Sequence, residues 1–205
     1  MIELRIEGGL WTVTLNRPEK ANSLTGAMLD ELAGIAERAG AEGARALVLT
    51  GVGKVFSAGA DLDEARAGLA TSGLWERLSG AIAALPCLTV AALNGTLAGG
   101  AMGMALACDL RIAVPGAKFF YPVMKLGFLP QPSDPTRLAA FVGPARAKMI
   151  LMAGQKIEAP EALAWGLIDR IAPPESLLAE VRALTEDSLA ASASHVAGIK
   201  ALIPT

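Results

Sequence analysis

Histidine and cysteine are nearly absent from this chain of 205 residues, which contains one histidine and two cysteines. His195 lies close to the C-terminal end, and Cys87 and Cys108 are far apart, with no CxxC or Cys/His spacing. These absences argue against a Ser-His-Asp triad, a metal site and a disulfide framework. We interpret His195 as a helix-surface residue. The cysteine usage, and an N-terminus without a basic segment before an apolar one, predict a cytoplasmic protein.

Aromatic residues are also scarce at 4%, and charged residues make up only 19% of the chain. Hydrophobic residues make up 53%, which excludes a disordered chain and predicts a core built mainly from Ala, Leu, Gly and Val. The net charge is −2, and no block of like charges is present. We therefore expect no nucleic acid partner.

A stretch from Ser79 to Cys108 contains no charged residue, and its glycines recur at the spacing of membrane-helix packing motifs. Pro86 and the turn signal Asn94-Gly95 interrupt it. We therefore predict a buried strand, a turn and a buried helix here, and no membrane span.

Strand patterns alternate with helix patterns along the chain, which predicts an α/β fold with parallel pairing. Asp134 before Pro135 is typical of a helix N-cap followed by proline at the first helical position. The predicted strands cover residues 2–6, 10–15, 46–51, 89–93, 109–114, 118–121 and 167–171. We divide the chain into a core domain, residues 1–173, and a shortened helical tail, residues 174–205.

Two glycine-containing loops each follow a buried strand. One is Ala58-Gly59-Ala60-Asp61, and the other is Gly99-Gly100 at the start of a helix. Glycine lets a ligand approach the backbone, and the first N–H groups of a helix have no intrahelical partner. Two such donors that converge on one point would form an oxyanion hole. From the residues alone, tight turns and helix packing explain these glycines at least as well.

Taken together, five segments in order resemble the motifs of the crotonase (enoyl-CoA hydratase/isomerase) superfamily. The resemblance covers nearly the whole chain and rests on residues 15–23, 56–62, 94–109, 125–130 and 162–169. It implies a spiral of repeated ββα units, an acyl-CoA thioester substrate, no cofactor beyond the coenzyme A that the substrate carries, and a homotrimer or a hexamer.

The resemblance also assigns residues. It implies that Ala60 and Gly100 supply the two oxyanion N–H groups. It also implies further substrate-binding residues, which are Lys20, Ala58, Gly59, Asp61, Leu62 and Gly99. Of these, Lys20 is expected near the phosphates of coenzyme A.

The sequence departs from the family pattern at both catalytic glutamates of the hydratases, which correspond to Gly103 and Val123. Neither residue can transfer a proton. Asp134 and Tyr121 are candidate replacements, although a helix N-cap explains Asp134 and strand packing explains Tyr121. A third hypothesis is that Gly103 leaves an empty space for bicarbonate, as in the naphthoyl-CoA synthases.

Two functions remain open at this point. The first is an enzyme that stabilises a thioester enolate, with isomerase or lyase activity in fatty acid metabolism. The second is a non-catalytic acyl-CoA-binding relative. The tail is shorter than is typical of the superfamily, which weakens the expectation of a trimer.

Overall fold

The computed structural model describes residues 1–203. The strands are β1 (Ile2–Glu7), β2 (Leu10–Leu15), β3 (Ala46–Gly51), β4 (Val55–Ser57), β5 (Leu88–Leu93), β6 (Thr96–Ala98), β7 (Leu110–Ala113), β8 (Lys118–Phe120), β9 (Ile157–Glu158) and β10 (Arg170–Ile171). The α-helices are α1 (Gly26–Ala41), α2 (Leu62–Arg66), α3 (Leu74–Ala83), α4 (Met102–Leu106), α5 (Val123–Leu126), α6 (Asp134–Val142), α7 (Pro144–Leu151), α8 (Ala159–Trp165), α9 (Leu177–Ala190) and α10 (Ala193–Leu202).

The strands form two sheets. The larger sheet has the order β1-β2-β3-β5-β7-β10, and the smaller has the order β4-β6-β8-β9. Within residues 1–203, pairing is antiparallel only between β1 and β2 and between β8 and β9, and the other pairs are parallel. The predicted α/β class with parallel pairing is confirmed.

Successive strand pairs form a spiral. In each of the pairs β3–β4, β5–β6 and β7–β8, the first strand joins the larger sheet and the second joins the smaller. The next element in each unit is a helix or a short 3-10 turn that leads into one. The expected spiral of ββα units is therefore confirmed, and it brings the ends of β4, β6 and β8 side by side.

The turns of the spiral are stacked in contact. Asn94 donates from Nδ2 to the carbonyl of Gly53 at 2.9 Å and accepts from the N–H of Gly51 at 3.0 Å. A Cβ at Gly95 would collide with the carbonyl of Lys54, so only glycine fits where the two turns meet. The predicted Asn-Gly turn thus fixes the spacing between neighbouring repeats.

Helix α1 illustrates why the local elements form. The side chain of Thr25 accepts from the N–H of Met28 and caps the helix. The apolar residues at helical spacing form its buried face, and they include Met28, Leu29, Leu32, Ile35 and Ala36. This face packs on α3 and on the core that the sheets share with it.

Two predicted strands that are neighbours in sequence, 109–114 and 118–121, do not pair with each other. The segments on either side of Pro115-Gly116 form β7 and β8, which lie in different sheets. Asp109 lies outside β7, and its carboxylate accepts from the N–H of Thr89 at 2.8 Å. The predicted strand at 167–171 is limited to Arg170–Ile171.

The C-terminal helices contact the core. Helix α9 packs against β3, β5 and β7. Lys200 of α10 donates from Nζ to the carbonyl of Cys87 at 2.8 Å and to the carboxylate of Asp109 at 2.7 Å. The predicted division of the chain into a core and a tail at residue 173 stays a prediction.

The uncharged stretch from Ser79 to Cys108 contains β5, β6 and α4. No helix within residues 1–203 is both long and apolar enough to cross a bilayer.

Candidate active site

The two glycine-containing loops contact each other backbone to backbone. Gly59 has a φ of +93°, a value that favours glycine. A Cβ at Gly59 would lie 2.9 Å from the carbonyl oxygen of Ala98 and 3.5 Å from the nitrogen of Gly100. The structure therefore brings together the two segments that were predicted to form one site, although they are about 40 residues apart.

The N–H groups of the two loops differ in their hydrogen-bond partners. The N–H of Gly59 donates to Oγ of Ser57 at 3.2 Å, and that of Asp61 donates to the carbonyl of Leu24 at 2.8 Å. The N–H of Ala60 donates no hydrogen bond within the described part of the chain. Gly100 is the second residue of the 3-10 turn Gly99–Ala101, whose first N–H groups have no partner inside the turn. The N–H groups of Ala60 and Gly100 are the two donors that the family resemblance assigned to the oxyanion hole.

Asp61 has an internal structural role. Its carboxylate accepts from Arg17 at 2.8 Å and from the N–H of Asp63 at 3.1 Å, so that it caps α2. The hydrogen bond from Arg17 holds the pKa of Asp61 below its usual value. Arg17 also bonds Ser23, which ties the polar N-terminal loop to the first glycine loop. Arg17 lies within the family-like segment 15–23 but was not among the predicted site residues.

The other predicted ligand residues lie around these loops. Lys20 and Ala58 are exposed, Leu62 is 71% exposed, and Gly99 is half-buried with a φ of +58°. Their roles toward coenzyme A stay predictions.

The two positions of the missing glutamates differ in their surroundings. Val123 is buried at the start of α5. Gly103, in α4, faces the carboxylate of Asp134: a Cβ at Gly103 would lie 2.7 Å from Oδ1 and 3.1 Å from Oδ2. The expectation of an empty space beside Gly103 is therefore wrong, because Asp134 fills it. The bicarbonate hypothesis loses the observation that motivated it.

Asp134 is not the N-cap of its helix. Ser133 is the N-cap residue, and Asp134 is the first residue of α6, so that prediction was wrong. Glu76 of α3 accepts from the N–H of Ser133 at 3.1 Å and from its hydroxyl at 2.9 Å. Because Glu76 binds the start of α6 from outside the helix, the carboxylate of Asp134 is free to turn toward Gly103.

Tyr121 contacts the same carboxylate. It lies one residue beyond β8, is 4% exposed, and donates from its hydroxyl to Oδ2 of Asp134 at 2.9 Å. Oδ1 of Asp134 is buried and has no hydrogen-bond partner among residues 1–203. The two candidate acid/base residues of the sequence analysis are thus brought together.

Burial determines how this pair ionises. Burial raises the pKa of Asp134 to about 7, while the hydrogen bond from Tyr121 lowers it. The negative charge of Glu76 raises this pKa further, and the positive charge of Arg137 lowers it. Burial and the neighbouring Asp134 raise the pKa of Tyr121 well above its usual value, so its hydroxyl stays protonated. The pair therefore offers one carboxyl group that can gain or lose a proton near neutral pH.

Several residues around the site carried no recognisable sequence signal. The ring of Trp75 packs on Gly100, 3.1 Å from where a Cβ would lie. Gln131 donates from Nε2 to the carbonyl of Ala70 at 3.2 Å. Glu76 of α3 binds Ser133 at the start of α6, and Ala70 lies in the turn before α3. The partners in these two hydrogen bonds are about 60 residues apart, so that no local motif could reveal them.

The histidine and the two cysteines, for which the sequence predicted no role in a site, lie away from the candidate active site. His195 is exposed on α10, as predicted, and no three His, Cys, Asp or Glu residues within the described range are grouped to hold a metal. Burial raises the pKa of Cys87 to about 11 and that of Cys108 to about 12, which makes both thiols poor nucleophiles.

The model of the enoyl-CoA hydratase/isomerase family matches residues 5–204. The chain belongs to this family. A Thermus thermophilus protein provisionally named enoyl-CoA hydratase is 39% identical over 194 residues, which cover 88% of this chain and 75% of that protein.

Solved structures of family members agree with the fold. An enoyl-CoA hydratase/isomerase from Pseudoalteromonas atlantica has a TM-score of 0.91 and 31% identity, and the match covers 98% of this chain and 81% of that one. An enoyl-CoA hydratase from Mycobacterium avium subsp. paratuberculosis has a TM-score of 0.89 and 32% identity, with coverage of 97% and 82%. The enoyl-CoA hydratase/isomerase fold thus extends over almost the whole described chain.

Proposed function

We propose that this enoyl-CoA hydratase/isomerase family member is an enzyme. It binds an acyl-CoA thioester, stabilises its enolate with the N–H groups of Ala60 and Gly100, and transfers the C2 proton with Asp134. Family membership supports the substrate class. The observation that carries the proposal is the buried carboxylate of Asp134 beside Gly103, three residues beyond Gly100.

The oxyanion hole supplies the charge stabilisation. When a proton leaves C2 of a thioester, the negative charge moves to the carbonyl oxygen. The N–H of Ala60 donates no hydrogen bond within the described chain, Gly100 lies at the start of a 3-10 turn, and the two loops are in contact, which supports both N–H groups as donors to that oxygen. One oxyanion donor is worth about 3–4 kcal/mol in the transition state.

Asp134 supplies the proton transfer that Gly103 and Val123 cannot. A general base works best when its pKa is near the operating pH, and burial raises the pKa of Asp134 to about 7. The location of the Asp134 carboxylate also fits this role, because its oxygens lie where a side chain on residue 103 would begin. Isomerisation of an enoyl-CoA, or addition of water to it, follows from this arrangement.

A second function is favoured by a different observation. Asp134 is only 1% exposed, and both glutamate positions of the hydratases lack an acid. A relative that binds acyl-CoA without turning it over is consistent with these facts. The coenzyme A contacts of Lys20 and of residues 58–62, and a homotrimer or hexamer, are parts of the proposal common to both functions.

Incubation of the protein with saturated and unsaturated acyl-CoAs in D2O tests the proposal. Chromatography with mass spectrometry detects C2 deuterium, migration of the double bond and addition of water. We expect at least one of these changes. If the thioesters bind and remain unchanged, the binding function replaces the enzymatic one; if none binds, the proposal fails.

Gly100→Pro addresses the oxyanion hole, because it removes one N–H donor. We expect the rate to fall about 100-fold or more. The matched control is Ala193→Pro, which places proline at the first position of α10, where the N–H is not needed by the helix. Equal rates for Gly100→Pro and the control would contradict the assignment of Gly100.

A further inference from the structure

The two oxygens of Asp134 are not equivalent. Oδ2 accepts the hydroxyl hydrogen of Tyr121 at 2.9 Å, whereas Oδ1 has no partner among residues 1–203. Oδ1 is also the oxygen nearer to Gly103, at 2.7 Å from a Cβ placed there, against 3.1 Å for Oδ2. A buried acceptor without a partner is costly, which indicates that Oδ1 meets its partner in another state of the protein.

Tyr121 is itself held firmly. Its phenol oxygen lies 3.4 Å from the N–H of Gln131, which donates to it. Tyr121 follows Phe120, and Phe120 is paired with Ala98 of β6, the residue before Gly99-Gly100. The hydroxyl group and the second glycine loop are therefore positioned by two hydrogen-bonded neighbouring strands.

We propose that Tyr121 is a positioning residue for Asp134: by holding Oδ2, it leaves Oδ1 as the oxygen that receives the C2 proton. This inference rests on the proposed enzymatic function. In the forward step, the C2–H bond breaks, the proton moves to Oδ1, and the electron pair moves to the thioester oxygen between Ala60 and Gly100. In the reverse step, Oδ1 returns a proton to the carbon skeleton. Tyr121 keeps its proton throughout.

The groups that act on Asp134 come from the elements around it. Glu76 of α3 is negative, Arg137 of α6 is positive, and Tyr121 follows β8. Helix α4, with the sequence MGMAL, contributes no titratable group. A hydrogen bond to a carboxylate favours its ionised form, so removal of the Tyr121 hydroxyl should make Asp134 a carboxylate only at higher pH.

The test compares the wild-type protein with Tyr121→Phe in two measurements. The first is the rate of C2 deuterium exchange as a function of pH, with an acyl-CoA that the wild-type protein exchanges. The second is the infrared carboxyl band of protonated Asp134, identified by subtraction of the Asp134→Asn spectrum and followed through the same pH range without ligand. Thr185→Val is the control, because it removes a buried hydroxyl in α9 that bonds only the carbonyl of Arg182.

We expect Tyr121→Phe to move both midpoints upward together by about one pH unit, so that exchange below the midpoint slows about tenfold. The control should move neither. An unchanged carboxyl midpoint in Tyr121→Phe, or a shifted carboxyl midpoint without a shift in the exchange profile, would overturn the role of Tyr121. Absence of exchange in the wild-type protein would instead overturn the proposed function, and the role of Tyr121 with it.

Discussion

Asp61 and Asp134 occupy comparable places in the chain, but their carboxylates have opposite surroundings. Each lies at the start of a helix that borders the site. Asp61 is an N-cap whose carboxylate accepts from Arg17 and from backbone N–H groups. Asp134 is the first residue of α6, caps nothing, and has one oxygen without a partner among residues 1–203.

The difference follows from neighbours that are distant in sequence. Arg17 stabilises the charged form of Asp61, so its pKa is lowered. For Asp134, no cation bonds the carboxylate, and burial raises its pKa. Glu76 binds Ser133 at the start of α6, and the carboxylate of Asp134 accepts from Tyr121 instead. The neighbours of a helix-start aspartate thus determine whether its pKa is lowered or raised.

The largest expected effect concerns activity. Asp134→Asn should lower the rate of C2 deuterium exchange about 100- to 10,000-fold, because it removes the proposed base. Asp187→Asn, an exposed position on α9, is the matched control and should keep the wild-type rate. Exchange that persists in Asp134→Asn would show that another group transfers the proton.

The second prediction is a pH dependence of stability. A raised pKa means that the folded protein holds the proton of Asp134 more tightly than the unfolded chain does. Its contribution is therefore fully present below the ordinary aspartate pKa and is lost as the pH rises through about 7, by at most about 4 kcal/mol. Urea denaturation at several pH values should show this loss in the wild-type protein and a flatter profile in Asp134→Asn. Parallel profiles would contradict the raised pKa.

The third prediction tests the contact between Gly103 and Asp134. Gly103→Ala places a Cβ 2.7 Å from Oδ1 and should displace the carboxylate, at a cost of about 1–3 kcal/mol in the free energy of unfolding and with slower exchange. Gly34→Ala in α1 is the control, since no atom lies within 4 Å of its added Cβ. The control should be stabilised by about 0.5–1 kcal/mol, as is usual for this change in a helix. Equal effects of the two variants would contradict the contact.

The smallest effect is expected at Asp61. Its lowered pKa means that its contribution to stability is present above the ordinary aspartate pKa and is lost as the pH falls through the folded value. Asp61→Ala should therefore lower the thermal midpoint modestly at pH 7, and by less as the pH falls toward that value. The sign of this pH dependence is opposite to that of Asp134. A midpoint that does not change at neutral pH would show that the contact with Arg17 contributes no stability.

Sequence reasoning predicted the glycine loops because each is encoded locally. A buried strand, a turn and a glycine pair are contiguous at Gly99-Gly100, and the family resemblance implied that the two loops form one site. The orientation of Asp134 was not predictable in this way. Asp134 followed by Pro135 matches an N-cap signal, and the group that overrides it, Glu76, lies in a different helix.

The role of Tyr121 was hidden for a related reason. A tyrosine next to a strand usually serves packing, and only the pairing of β8 with β6 places its hydroxyl beside α6. The sequence also could not show that Asp134 fills the space beside Gly103, because this depends on how α4 and α6 cross.

The contact between Gly103 and Asp134 also means that α4 and α6 leave room for one acidic side chain between them. A glutamate at 103 and the present Asp134 side chain cannot share one volume, so the two acids exclude each other.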